Sequence, residues 1–282
     1  MRVGHGKIRL RHLSRPRGIY PHASARAQAL WLKQHFSSGL GMPESHDDHR
    51  PRVAAERRRR MRMRLLESAM IVFAQKGVGA SVIADVVAAA EVSKGSFYNY
   101  FRTNEELFQA LAAELNRDIV RMVEAAISNV EDDPSLKVAT AFRCYLHLIR
   151  SHELVAQFVA GAGLQLVNRD SGFYDYLPRH LRAGQKRGQF NDGAVGTMID
   201  VVTGAGLMAV HRMVAGGTSR RYPEQVVGLV LGALGLKPQD IPRLINFPLP
   251  ELSVPPDSLL ARAKGSAFAH DASQQAADRA VD

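Results

Sequence analysis

The sequence predicts an all-α protein, with three N-terminal helices ahead of a larger helical bundle. Three observations carry this. From residue 56 to residue 236 apolar residues recur at helical spacing, and no stretch alternates as a half-buried strand would. Glycine and proline punctuate these runs, at Gly77, Gly188, Gly193, Gly216, Gly217 and Pro223. Capping residues stand where helices would open, at Ser81, Ser93 and Thr103.

The chain has 282 residues, 46% of them apolar, which is enough for a full core. The single cysteine, Cys144, excludes a disulfide framework and a cysteine-based zinc site and fits a reducing cytoplasm. No apolar run approaches the roughly 20 residues of a membrane span. The basic N-terminus is not followed by the apolar stretch of a secretory signal. A cytoplasmic location without a membrane partner is therefore expected. Charge is unevenly spread. Residues 1–64 hold 16 Lys and Arg against 4 Asp and Glu, a net +12, while residues 65–282 hold 21 against 23, a net −2. An excess confined to one end points to a polyanion there.

Residues 1–55 read as a basic extension without sustained period, disordered apart from a possible short helix around Trp31 in "ARAQALWLKQHF" (25–36). Met42 and Met61 are alternative starts. From Glu56, "ERRRRMRMRLLESAMIVFAQKG" reads as a helix with Leu65, Leu66, Ala69, Val72 and Phe73 on one face and Gly77 as its stop. "SVIADVVAAA" (81–90) is a second helix, capped by Ser81, with Ile83, Val86, Val87 and Ala90 inward. After a break at Glu91-Val92 comes "SKGSFYNYF", with Ser93 as N-cap. Thr103 to Glu106 form a capping box opening a long helix, to about Val130, with Leu107, Leu111, Leu115, Ile119 and Met122 inward.

Helix, turn and short capped helix make a helix-turn-helix, whose second helix enters the DNA major groove. This resolves a crowding problem in "VSKGSFYNYF" (92–101): its aromatic rings do not all fit one core. Phe97 and Phe101, four apart, face inward against Val86 and Leu107. Tyr98, Asn99 and Tyr100 face DNA, where a phenol hydroxyl reaches a phosphate. Lys94 and Ser96 sit in the first turn beside backbone N–H groups that point at anions. Gly95 keeps that turn thin. Arg57, Arg60 and Arg64 share one face of the first helix and are expected at phosphates. With Ser81, Ser93 and Asn104 they complete the predicted DNA-binding set.

The stretch "SVIADVVAAAEVSKGSFYNYFRTNEELFQALAAEL" resembles the DNA-binding domain of the tetracycline-repressor (TetR) family of bacterial transcription regulators. The apolar second helix with Asp85, the turn "VSKGSFY", the closing "YF" and the capped fourth helix carry the likeness, over roughly residues 57–119. "LRAGQKRGQF" (181–190) is similar to the step the family has before its last two helices. Two departures stand out. The family usually has glycine where Glu91 stands, and often threonine before the second helix, where this chain has Ala80-Ser81. The resemblance implies a DNA-binding domain at 56–119 and a ligand-binding and dimerisation domain at 120–236. After Leu236 the Pro-rich "KPQDIPRLINFPLPELSVPP" reads by composition as a partly disordered tail over 237–282, docked near "LINFPL" (244–249) and disordered after about residue 260.

Within 120–236, helical patterns fall at about 135–151, 153–167, 172–187, 193–215 and 223–235. Phe142, Tyr145, Leu146, Phe158, Leu166, Phe173, Tyr176, Met198, Val202 and Met208 are core or cavity residues by composition. The resemblance implies a pocket for a small apolar effector among them. "TGAGLMA" (203–209), with Glu224 downstream, matches a dinucleotide fingerprint. However, the helical period of Met198, Val201, Val202, Ala205 and Met208 runs through the glycines, so the reading is a helix whose small residues admit a close neighbour. The spacing of His147, His152, His180 and His211 suggests no metal. Cys144, on an apolar helix, reads as a buried inert thiol. No cofactor site and no catalytic serine, carboxylate pair or phosphate loop is found.

The expected function is a non-enzymatic, ligand-responsive regulator, a repressor released from a palindromic double-stranded DNA operator by a small apolar molecule. One recognition helix buries little surface, and two-fold pairing doubles it. A homodimer is expected through 193–215 and 223–235, whose Gly, Ala, Val and Leu suit a four-helix seam. The alternatives are a helical enzyme or carrier with a basic tail, and a protein coating DNA without sequence preference.

Overall fold

The computed structural model describes residues 49–79, 82–167 and 173–263. The expectations for residues 1–48, for Ser81 and for the tail beyond residue 263 lie outside them. Helix α1 spans His49–Lys76 and so opens earlier than Glu56. The arginines and alanines there are good helix formers. Gly77, at φ 80°, ends it as expected. Leu65, Leu66, Ala69, Val72 and Phe73 are all buried.

Helix α2 is Ile83–Ala89 and α3 is the short Lys94–Tyr98. Helix α4, Asn104–Ile127, is capped by Thr103, whose side chain accepts from the Glu106 N–H at 3.0 Å. The reciprocal half of the box is displaced by one residue, because Glu106 accepts from the Arg102 N–H at 2.8 Å. The leucine ladder on α4 is buried throughout.

Helix α5, Pro134–Arg150, is the central post of the body. Asp133 caps it, accepting from the Ser135 and Leu136 N–H groups. Around α5 stand α4, then α6 (Glu153–Ala162), α7 (Phe173–Lys186), α8 (Val195–Ala215), α9 (Tyr222–Ala233) and α10 (Ile241–Ile245). The expected single helix 153–167 is broken at Gly163, φ 49°, and continues as a 3-10 turn over Gly163–Leu166. No strand occurs among the described residues, as predicted.

Helix α8 departs from expectation, being long and apolar enough, by length and composition, to cross a membrane. One face, including Met198, Ile199, Val202 and Val210, is buried in the bundle. Gly206 lies under α5, where an added Cβ would meet the Phe142 ring at 3.2 Å. The supposed fingerprint glycine therefore serves helix packing. Glu224 joins Arg143 (3.4 Å) and His147 (2.8 Å) across α5 and α9, and Arg143 donates to the Phe247 carbonyl at 2.7 Å. Cys144 is buried, which pushes its thiol up to about 11, so it stays protonated.

The tail does more than dock near 244–249. Beyond α10 it runs on, so that Leu259, Leu260 and Ala263 are buried at about 1% exposure or less. Asp257 pairs with Arg59 on α1 at 3.1 Å, and the buried Asp118 on α4 accepts the Leu259 N–H at 2.9 Å.

Candidate functional site

The recognition element is built from the turn outward. Glu91 closes α2 with φ 50°, the left-handed conformation that glycine adopts freely. Ser93 then caps α3, its hydroxyl accepting the Ser96 N–H at 3.1 Å and lying 3.0 Å from the Ser96 hydroxyl. Phe97 is fully buried, and its ring meets Phe101 at 6.0 Å. Tyr98 is 52% exposed and stands edge-on to Phe97 at 5.5 Å. One residue anchors the helix and the next faces out.

Lys94, Gly95 and Asn99 share that exposed side. A Cβ at Gly95 would meet only the Ser93 hydroxyl, at 3.9 Å, so packing does not require glycine there. Asn99 is the C-cap, and Tyr100 lies past the helix end, half-buried against the core. Tyr100 therefore stands apart from Tyr98, because α3 is shorter than the expected "SKGSFYNYF". Asn104 is half-buried and makes a long hydrogen bond to the Val78 carbonyl, 3.5 Å, tying α4 to the end of α1.

On α1, Arg57, Arg60 and Arg64 are exposed. Arg60 pairs with Glu56 at 3.3 Å and Arg64 with Glu91 at 2.9 Å. Arg62 instead turns to Glu114 at 3.1 Å and covers the Phe101 ring at 5.9 Å. The head thus presents Lys94, Tyr98 and Asn99 with an arginine-rich helix beside them.

A cavity of about 220 Å³ lies in the body, lined from α4, α5, α6, α7 and α8. Of the ten core-or-cavity residues singled out in the sequence, Phe142, Tyr145, Leu166, Tyr176 and Val202 line it. Four others do not. Leu146 and Met198 are buried in the core, and Met208 is 59% exposed on the far side of α8. Phe158 packs where α6 meets the head, its ring 6.3 Å from Phe73 on α1 and 6.0 Å from Phe108 on α4. The Phe173 side chain lies outside the described residues. Sequence reasoning missed Gln109, Asn116 and Thr203, which also line the cavity. Their signal was a polar residue in an otherwise apolar stripe. At the cavity edge Glu124 accepts from Arg179 at 2.9 Å and lies 3.3 Å from His180. Burial pushes the Tyr145 phenol up to about 12, so it is neutral.

A family model described as bacterial regulatory proteins of the tetR family matches residues 65–111. The HTH-type transcriptional repressor DhaR of a Mycobacterium species is 29% identical over 89 residues, 32% of this chain and 45% of that protein. The HTH-type transcriptional regulator TtgR of Pseudomonas putida is 31% identical over 83 residues, 29% of this chain and 40% of that protein. The chain thus spans under half the length of these curated relatives. Among solved structures, RolR in complex with resorcinol is similar with a TM-score of 0.55 at 24% identity, covering 71% of this chain and all of that one. The fatty acid degradation regulator FadR from Bacillus halodurans gives a TM-score of 0.53 at 18% identity, covering 62% of this chain and 96% of that one.

Proposed function

We propose that the chain, whose residues 65–111 match the tetR family model, is a TetR-family regulator: a cytoplasmic, homodimeric transcriptional repressor released from a palindromic operator by a small molecule. Residues 56–119 read DNA, residues 120–236 form the dimer and hold the effector together with the α4 residues from Gln109 to Ile119, and residues 237–282 are a tail. Its work is binding rather than catalysis. The observation that carries the reading is the pairing on α3 of a buried Phe97 with an exposed Tyr98, beside exposed Lys94, Gly95 and Asn99. Such a helix is anchored on one side and offers donors on the other. DhaR and TtgR, both named as HTH-type regulators, support it.

The dimer reading rests on apolar side chains left at the surface of α8 and α9. Val201, Met208, Val214 and Leu229 are exposed, Leu229 by 78%. A second copy would cover them, which also accounts for the apolar composition of α8. The structure bears on switching too. Phe108 touches the head and Gln109 lines the cavity, and Phe158 and Val159 divide in the same way.

The test is a DNA titration with an operator selected by the full chain from a random duplex library. A palindromic selected site and steeply salt-dependent binding are expected. Tyr98→Phe should weaken it by about 1 kcal/mol, one hydrogen bond, with the fold unchanged. Lys94→Ala should weaken all sequences alike and flatten the log–log salt slope by about two units, about 0.9 from each protomer of the dimer. Equal affinity for every duplex would leave a DNA-coating protein as the reading.

A further inference from the structure

Two cavity-lining residues carry a buried polar atom that has no hydrogen-bond partner in the protein: Asn116 Nδ2 on α4 and Thr203 Oγ1 on α8. Buried polar groups are nearly always paired, because an unmade bond leaves their lost hydration uncompensated. An amide N–H is a donor only, and a hydroxyl both donates and accepts. A ligand oxygen accepts from the amide and pairs with the hydroxyl, so it would answer either group.

Charge narrows the class. The described lining residues include no lysine or arginine. The carboxylate of Glu124 is already held by Arg179 and faces His180. The Tyr145 phenol is neutral. An anionic ligand would give up hydration beside the Glu124 carboxylate, with only the His180 imidazole, already facing Glu124, to receive it, which is unfavourable. Size narrows it further. An apolar cavity of roughly 150 Å³ takes a benzene ring, and this one measures about 220 Å³. One ring and a substituent fit.

We propose, resting on the reading of this cavity as the effector site, that the effector is a neutral, one-ring-sized molecule bearing a carbonyl or hydroxyl oxygen. Asn116 and Thr203 bind that oxygen, and the apolar wall excludes carboxylates.

Calorimetric titration and thermal melting of the full chain at pH 7 test this with four probes: toluene, acetophenone, phenol and benzoate. Acetophenone and phenol should each bind about tenfold more tightly than toluene, the yield of one or two well-made hydrogen bonds. Benzoate should produce no shift. Asn116→Leu and Thr203→Val keep the shape of the wall and should bring the two oxygen-bearing probes to within about threefold of toluene, with toluene itself unchanged. If Asn116→Leu does not fold, Thr203→Val carries the comparison alone. Toluene binding as tightly as both oxygen-bearing probes, benzoate binding as tightly as acetophenone, or folded variants that leave the preference intact would each overturn the inference while the effector cavity stands. Binding by none of the four overturns the inference together with the cavity reading beneath it.

Discussion

Glu91 shows how one residue couples strain, charge and recognition. Among the described residues it is the sole non-glycine with positive φ, at 50°. Holding an L side chain there costs about 1–2 kcal/mol. Glycine relieves that cost but gives back about 0.4–1 kcal/mol through its freer unfolded chain. Its exposed pair with Arg64 stabilises the fold only slightly, since exposed ion pairs are worth about 0–1 kcal/mol. Glu91→Gly should therefore stabilise the protein by about 0.5 kcal/mol. It should also release Arg64 to a phosphate in each protomer and steepen the salt slope of the bound dimer by about 1.8. Urea unfolding and DNA titration at three salt concentrations read both. A variant less stable than wild type would show that the turn is unstrained, and an unchanged slope would take Arg64 off the DNA. The family resemblance marks this position, because the family usually has glycine there. The φ angle and the Arg64 partner belong to the folded chain.

At the scale of elements, what was legible depended on how local the cause is. Ser93 and Thr103 bond to N–H groups three residues away, so caps and helix starts follow from sequence. Core and cavity do not separate that way. Tyr145 lines the cavity and Leu146 does not; Val159 lines it and Phe158 does not. One step along a helix turns a side chain by about 100°, and only neighbouring helices decide what it meets. The tail was the least legible element. Its partners, Arg59 and Asp118, lie far back in the chain, and "VPPDSLLARA" carries no mark of burial. If the tail is an integral layer, Leu260→Ala should cost about 2–5 kcal/mol, as for other buried leucines. A loosely associated tail predicts a cost near zero. Chemical unfolding separates the two, with Arg262→Ala, a partly exposed neighbour of Glu67 at 3.9 Å, as a near-neutral control.

At the scale of the whole molecule, cavity and head share two helices. Helix α4 places Phe108 against Phe73 of α1 at 5.8 Å and lines the cavity from Gln109 through Asn116 to Glu124. Helix α6 does the same with Phe158 and Val159. A change in cavity occupancy therefore bears on the ring cluster that seats the head. In a dimer this matters, because two recognition helices must meet half-sites about 34–36 Å apart. An effector that never touches DNA shifts affinity if it binds one head spacing better than another. Couplings of this kind are typically about 1–3 kcal/mol, or 5- to 150-fold. Val202, buried at 3% exposure on the cavity wall, allows this to be tested without an effector. Val202→Trp puts an indole where the ligand would sit, far from α3. The expected variant folds, loses acetophenone binding, and differs from wild type in operator affinity by about fivefold or more, the low end of allosteric coupling. Its operator affinity should no longer respond to the probe. Melting temperature and DNA titration belong together here, so that a misfolded protein is not taken for a switched one. A stable variant with wild-type operator affinity and wild-type response would disconnect this cavity from the head.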